Sequence, residues 1–364
     1  MSPAPALKLF ARPRLKPLSC WASLPFECNM ILPGDAPASI DQAAQALANG
    51  ELVGFPTETV YGLGADAGND CAVAKIFAAK GRPSDHPLIV HVADAQGVHD
   101  FACDIPDFAK ELMAQCWPGP LTLILPRREG VGLASAGGQN SIGVRCPGHP
   151  VALALLKAAR GLGVLGVSGP SANRFGRVSP TTALHVASEF DPSLLILDGG
   201  PCPVGIESSI VDCTRSAPVV LRPGMLSRLA LSRMGGRQVL TPQEFVPSTA
   251  PRASGTLASH YAPNAKVRIM EASVLAQALQ AASTASGQRI GVWLQSPPAT
   301  TAKHWVVRPM ASTPQACAQA LFATLREFES LGVTEIWIQA PPADAAWDGI
   351  RDRLLRAAAP NALN

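Results

Sequence analysis

The 364-residue chain has no apolar run approaching the roughly 18 residues that a membrane-spanning helix needs. Its nine cysteines are scattered at irregular spacings and form no CxxC pair. That excludes the usual zinc and redox patterns. A disulfide framework does not suit a chain this long, so a reduced, cytoplasmic setting is expected. Charged residues are scarce at 16%, aromatics scarcer at 5%, and the net charge is only +3. Whole-molecule charge therefore gives no argument for wrapping nucleic acid, although a local basic pocket stays open. There is no GxxxxGK[ST] phosphate loop, no HExxH and no GxSxG. GLGVLG (161–166) matches GxGxxG, but it follows a helical stretch and enters a strand, the reverse of the dinucleotide-binding context.

What is present is a core-forming chain, 47% hydrophobic. Residues 1–29 stand apart. Lys8, Arg12, Arg14 and Lys16 face a single acid, Glu27, among several prolines and no helical period. A transit peptide is one reading and a start at Met30 is the other; either way the segment is expected to lie outside the fold. From residue 39 a helix is expected, capped by Ser39 or Asp41 and ended by Asn49-Gly50. Further helices are expected over 71–80, 105–117 and 151–160. Apolar strands are expected at 51–57, 87–92, 120–126, 141–147, 163–168, 193–200, 208–213 and 217–224. Strands and helices alternate, which gives an α/β domain over 30–240. Several connections are too short for helical crossovers, so the sheet is expected to be mixed.

Residues 241–263 hold Pro242, Pro247, Pro251 and Pro263 without periodicity and read as a linker. A smaller βαβα domain, Rossmann-like, is expected over 264–364. Its main helix is capped by Thr313, starts at Pro314, shares an apolar face through Cys317, Leu321, Leu325 and Phe328, and stops at Gly332. With few clustered polar groups, this second domain reads as a scaffold or regulatory module.

The polar loops sit at strand ends of the first domain, where open α/β sheets bind ligands. FPTETVYGLG (55–64), KGRPSDHPLIVHV (80–92), SIGVRCPGHP (141–150), SGPSANRFGRVSPT (168–181), GIESSIVD (205–212) and LRPG (221–224) form the set. Alternation puts Ser141, Gly143 and Arg145 on one face of their strand and Ile142 and Val144 on the other. Arg145 alone could face solvent or read an anion. Lys80 and Arg82 alone could be a solvated helix end, and His91 a satisfied core histidine. Taken together they describe a cavity for a polyanion with a polar partner, such as a nucleoside triphosphate and a small carboxylate.

These motifs, with WPGPLT (117–122), resemble in order the YrdC-type threonylcarbamoyl-AMP synthase family over about residues 38–226. The linker SGTLASHYAP and the tail resemble the long form with an extra C-terminal domain. The resemblance implies an α/β domain with a large concave cavity. It implies synthesis of threonylcarbamoyl-adenylate from L-threonine, bicarbonate and ATP, with release of pyrophosphate. The product would serve the threonylcarbamoyl-transferase machinery acting on adenosine 37 of tRNAs that read codons beginning with A. It further implies that Arg145 grips the threonine carboxylate, with Thr59, His91, Ser208 and the Gly169 backbone around the rest. Arg82, His86, Ser141, Ser171, Ser179 and Arg222 would contact ATP, with Lys80 and Asn173 completing a KxR/SxN set around the phosphates and His260 or Tyr261 as a lid. Lys80, Arg82 and Asn173 are the implied catalytic residues. Mg²⁺ is expected with ATP, with no ligand standing out, and no organic cofactor. Phe175 stands where the family often has serine, and Ser209 where it often has threonine. Two alternatives stay open: carbamoyl transfer from carbamoyl phosphate, as in hydrogenase maturation, and a weakly RNA-binding module.

Overall fold

The structure is a computed structural model describing residues 30–245, 251–257, 260–282, 288–298 and 301–359. The extension expected at 1–29 lies outside the described residues. Ten strands make the larger sheet: β1 (Met30–Pro33), β2 (Val53–Phe55), β3 (Gly62–Asp66), β4 (Ile89–His91), β5 (Leu121–Pro126), β6 (Ser141–Arg145), β7 (Val167–Ser168), β8 (Leu195–Asp198), β9 (Ser209–Asp212) and β10 (Val219–Arg222). They lie in the order β1-β8-β2-β3-β7-β4-β6-β5-β9-β10. Parallel pairs (β1/β8, β2/β8, β4/β6, β5/β9) mix with antiparallel ones (β2/β3, β3/β7, β4/β7, β5/β6, β9/β10). The expected mixed sheet is what forms.

Six helices accompany it: α1 (Pro37–Ala48), α2 (Asp70–Lys80), α3 (Asp107–Cys116), α4 (Pro150–Gly161), α5 (Ala183–Ala187) and α6 (Arg228–Met234). Strand alternation decides where they dock. On β8, Leu195 and Leu197 pack with α1 and α4, whereas Ile196 packs with α2 and α5. On β5 and β6, Leu121, Leu123, Leu125, Ile142 and Val144 point to α3. Their opposite face carries Ile124 beside Ile89 and Ile210, and is covered by the linker residue Ala253 rather than by a helix. One sheet face is thus left to a loop, and the polar residues lie there.

One expectation needs correction. Helix α1 starts at Pro37, two residues before Ser39, and neither Ser39 nor Asp41 caps it; Ala36 occupies the cap with no side-chain bond. Proline at the first turn supplies the fixed φ that a helix start wants and lacks an N–H that would need a partner, so no capping oxygen is required. The C-terminal end is as expected, with Asn49 as cap and Gly50 left-handed at φ 75°.

The second sheet holds β11 (Lys266–Met270), β12 (Ile290–Leu294), β13 (Trp305–Pro309) and β14 (Glu335–Gln339), all parallel in the order β11-β14-β12-β13. Helix α7 (Ala272–Ala282) covers one face, against Val292 and Trp337. Helices α8 (Pro314–Ser330) and α9 (Asp348–Ala358) cover the other, against Trp293, Ile336 and Ile338. Thr313 caps α8 by accepting from the Ala316 amide. Helix α7 and strand β13 extend the expected βαβα pattern.

The core under α8 and α9 does not stop at the second sheet. Leu321, Phe322 and Ile350 form one cluster with Val60, Val178 and Ile206 of the first. Each fully buried Leu, Ile or Phe contributes roughly 1.5–3 kcal/mol, so this junction is a shared core rather than a passing contact.

Candidate active site

The uncovered face of β4, β6, β5 and β9 carries a polar row fixed by register. His91 pairs with Arg145 across the parallel β4/β6 ladder. Thr122 is on the same face: Leu123 opposite Val144 puts Thr122 opposite Arg145. The Thr122 hydroxyl meets that of Ser208 at 2.8 Å. Period-two alternation therefore brings side chains from three strands, and Ser208 just before β9, to one place, although they are far apart in sequence.

Arg145 is 3% exposed. Its Nε donates to the Gly119 carbonyl (3.2 Å), its Nη1 to Thr59 Oγ1 (3.0 Å), and its Nη2 lies 2.7 Å from Glu58 Oε1. The Thr57 and Thr59 hydroxyls meet at 2.8 Å, so the PTET loop is locked against the guanidinium. His91 stands edge-on to Phe55 at 5.7 Å. Burial, with Arg145 beside it, lowers its pKa to about 3, so the ring is neutral. A Cβ on Gly169 would lie 3.0 Å from His91 Nδ1 and from Phe55, so only glycine leaves the ring its place.

Arg82 and Arg222 line the other end of the same cavity. Arg82 donates to the Pro87 carbonyl (2.9 Å) and reaches Ser254 Oγ at 3.4 Å. Burial lowers its pKa to about 10, which still leaves it a cation at neutral pH. Arg222 donates to the Ser208 carbonyl (3.0 Å), to Ser208 Oγ (3.1 Å) and to the Ser254 carbonyl (3.0 Å). The linker crosses here, and Gly255, His260 and Tyr261 line the cavity. An aromatic line runs from His86 through Phe175, His260 and Tyr261 to Phe322, with centroid spacings of 5.4, 6.2, 4.2 and 5.4 Å. Tyr261 is a non-glycine residue held at φ 62°, a strained conformation of the kind that gathers at ligand clamps. Burial, then the charge of Glu207, raises its phenol to about 12. Burial also drives His260 well below the usual histidine value, with Arg82 and Lys80 adding to the shift.

Of the fifteen residues singled out in the sequence, Thr59, Arg82, His91, Arg145, Gly169, Ser171, Ser208, Arg222, His260 and Tyr261 line this one cavity. The other five do not. Ser141 lines a neighbouring pocket with Arg252 and Ser254. His86 stands at the rim against Phe175. Ser179 gives its hydroxyl to Glu207. Lys80 is 4% exposed, and its ammonium holds the carbonyls of Ser171 and Asn173, so it braces the SxN loop from behind. Burial, then the charge of Arg82, lowers it well below the usual lysine value. Asn173 turns its amide to the Arg174 and Arg177 carbonyls.

Residues outside that set of fifteen support or line the cavity. Phe175 lies 5.6 Å under the Arg82 guanidinium. Glu207 lines the cavity and is paired with Arg353 of α9 at 2.8 Å. Burial alone would raise the Glu207 pKa, but Arg353, Arg222 and the Ser179 hydrogen bond outweigh it and hold the group ionised. The buried cations Lys80, Arg82, Arg145, Arg222 and Arg353 face two carboxylates, Glu58 and Glu207. Among the described residues, ten buried side-chain polar atoms lack a hydrogen-bond partner. Two of these, Glu58 Oε1 and Arg145 Nη2, face each other as the ion pair above, and six of the rest belong to Glu58, Arg82, His91, Asn173, His260 and Tyr261. Such atoms are rare in folded proteins because each costs about 1–3 kcal/mol. Their concentration here is what a site that bonds a ligand requires.

Fold and cavity together define an α/β protein with an arginine-lined cavity at the strand ends of a mixed sheet, under a linker. Comparisons with known proteins make this specific. A family model described as "Telomere recombination" matches residues 45–224, and one described as "Threonylcarbamoyl-AMP synthase, C-terminal domain" matches 224–359. The Bacillus subtilis threonylcarbamoyl-AMP synthase is 38% identical over 88% of this chain and 92% of its own length. That of Pyrococcus abyssi is 43% identical over 63% of this chain and 67% of its own. A crystal structure of P. abyssi Sua5 complexed with L-threonine superposes with a TM-score of 0.79 at 34% identity, covering 91% of this chain and 97% of that one. The chain belongs to the threonylcarbamoyl-AMP synthase family, the one its ordered motifs resemble.

Proposed function

We propose that this chain makes L-threonylcarbamoyladenylate from L-threonine, bicarbonate and ATP, releasing pyrophosphate, for threonylcarbamoyl modification of adenosine 37 in tRNAs that read codons beginning with A. The observation that carries the reading is the joining, in one cavity, of the His91/Arg145/Thr59 group to a wall of buried arginines, in a chain related throughout to threonylcarbamoyl-AMP synthases. The threonine amine takes up bicarbonate with loss of water. The carbamate oxygen then attacks the α-phosphorus, the bond to the β-phosphate oxygen breaks, and pyrophosphate leaves. Both reactants are anionic, so charge neutralisation and alignment are what the protein must provide.

In this reading Arg145 binds the threonine carboxylate with the N–H groups left by Thr59 and Gly119. Neutral His91, with Ser208, contacts the rest of the amino acid. Arg82 and Arg222 face the phosphates, with Ser171 beside them, and His260 and Tyr261 close over the nucleotide. Lys80 and Asn173 act by holding the SxN loop in place. Ser141 and His86 contact ATP only where it extends beyond the main cavity, and Ser179 acts through Glu207. No protein-held magnesium fits the described residues: none forms a group of three or more His, Cys, Asp or Glu able to hold a metal ion, and Glu58 and Glu207 are each paired with an arginine. Magnesium arriving with ATP would be held by phosphate oxygens. The product, a mixed anhydride, needs a downstream transferase to pass its threonylcarbamoyl group to tRNA. No described helix is long and apolar enough to cross a membrane, in keeping with a cytoplasmic setting.

Mass spectrometry of the product tests the reading. Threonylcarbamoyl-AMP should form from the three substrates together and from no pair of them. Product from carbamoyl phosphate without bicarbonate would favour the carbamoyl-transfer alternative, and RNA binding without any product the binding-module one.

A further inference from the structure

The C-terminal domain reads from its sequence as a scaffold, yet one of its arginines is built into the back wall of the cavity. Arg353 of α9 is fully buried. Its Nε donates to Glu207 Oε2 at 2.8 Å, its Nη2 to the Glu207 carbonyl at 3.1 Å, and its Nη1 to the Pro223 carbonyl at 2.8 Å. Only its bond to Asp352 stays within its own domain. The residues it grips adjoin Ser208 and Arg222, which line the cavity and bond each other. The fork therefore staples that pair from behind. Its guanidinium also sits 5.4 Å from the Tyr261 ring, and the Glu207 carboxylate it fixes takes the Ser179 hydroxyl.

The fit leaves no slack. A Cβ on Gly349, one turn before Arg353, would lie 2.7 Å from the Gly224 carbonyl oxygen, so α9 rests on the turn after Arg222. Helix α8 braces the neighbouring loop: Arg326 donates to the Ser179 carbonyl at 3.3 Å and pairs with Glu189 at 2.6 Å. A planar five-donor fork can hold a carboxylate and two carbonyls in fixed relation, which a lysine cannot.

We propose that Arg353 is a positioning residue of the nucleotide end of the site, by which the C-terminal domain sets Arg222, Glu207 and Tyr261 in register for ATP. This rests on the function proposed above. It assigns Arg353 no contact with threonine, since its hydrogen bonds go to Glu207, Pro223 and Asp352 and none to Arg145, Thr59 or His91.

The test compares Arg353→Met, Arg353→Lys and Gly349→Ala with the unaltered full chain. Measured are kcat and KM for ATP and threonine by pyrophosphate release, affinities for threonine and a non-hydrolysable ATP analogue by calorimetry, and thermal unfolding. We expect KM and Kd for the nucleotide to rise at least tenfold in Arg353→Met and less in Arg353→Lys. Threonine affinity should stay within twofold. Gly349→Ala, which keeps every charge but pushes α9 off the Gly224 turn, should give the same nucleotide-selective loss. Unchanged nucleotide affinity in Arg353→Lys and Gly349→Ala would overturn the proposal, and so would parallel loss of both ligands. Should Arg353→Met not fold, the other two variants carry the test. If the unaltered chain releases no threonine-dependent pyrophosphate, the proposed function fails, while the calorimetry still decides the role of Arg353.

Discussion

The two ends of the cavity are built differently. At one end, Arg145, His91, Thr59 and Ser208 stand on or beside adjacent strands of the large sheet, fixed by register. At the other, Arg82 and Arg222 are joined by the linker residues Ser254, Gly255, His260 and Tyr261 and backed by α9. The first end rests chiefly on the large sheet and the loops beside it. The second exists only when three separate stretches of chain dock. A cavity assembled this way can hold a small ligand in a preformed pocket and make the binding of a larger one depend on domain packing.

Arg82→Ala should have the largest effect, because it removes a buried cation that the proposed function sets against the phosphates. We expect kcat/KM for ATP to fall about 10²–10³-fold, some 3–4 kcal/mol, with an unchanged circular dichroism spectrum. Threonine affinity should hold; if it falls equally, the two ends are not separate. Arg145→Lys keeps charge but loses the fork. The threonine KM should rise about 10–100-fold with the nucleotide Kd unaffected, and equal losses would merge the two ends.

Each end also carries a buried neutral histidine. His91 has a folded pKa of about 3, and His260 lies well below the usual value, both chiefly through burial. The unfolded chain binds a proton near pH 6.5 where the folded one does not. Their contribution is therefore fully present above about pH 6.5 and is lost as pH falls, by about 1.4 kcal/mol per pH unit for each histidine. Urea unfolding at pH 7 and 5 should show this, and His91→Asn should remove one share of the slope. An unaltered slope would mean that His91 is charged in the folded state.

The smallest effect separates stability from binding. Tyr261 buries an unpartnered hydroxyl. Tyr261→Phe should raise stability by about 1 kcal/mol while weakening the ATP analogue several-fold. A loss of stability would show that the hydroxyl is already bonded in the free protein.

Much of this was legible in the sequence, and unevenly. The strand-face positions of Arg145 and His91 were readable because apolar alternation marks strand faces, whereas their role with threonine, like those of Thr59 and Ser208, came from the family resemblance. Strand β3 was hidden, since its GLGAD has two glycines and no alternation. Helix α7 shows in the sequence only through Leu275 and Leu279, a short apolar stripe. Lys80, Ser179 and Asn173 were found by motif, but spacing cannot say that they face loop carbonyls and Glu207 rather than the cavity. Arg353 could not have been found, because it lies 146 residues from Glu207 and nothing local marks it.

The most direct test of the two-ended account is a pair of titrations. L-threonine and a non-hydrolysable ATP analogue are each titrated into the unaltered protein, Arg145→Ala and Arg82→Ala. The account predicts that Arg145→Ala loses threonine binding and keeps the nucleotide, and that Arg82→Ala does the reverse. Loss of both ligands in either folded variant, or no threonine binding by the unaltered protein, would contradict it.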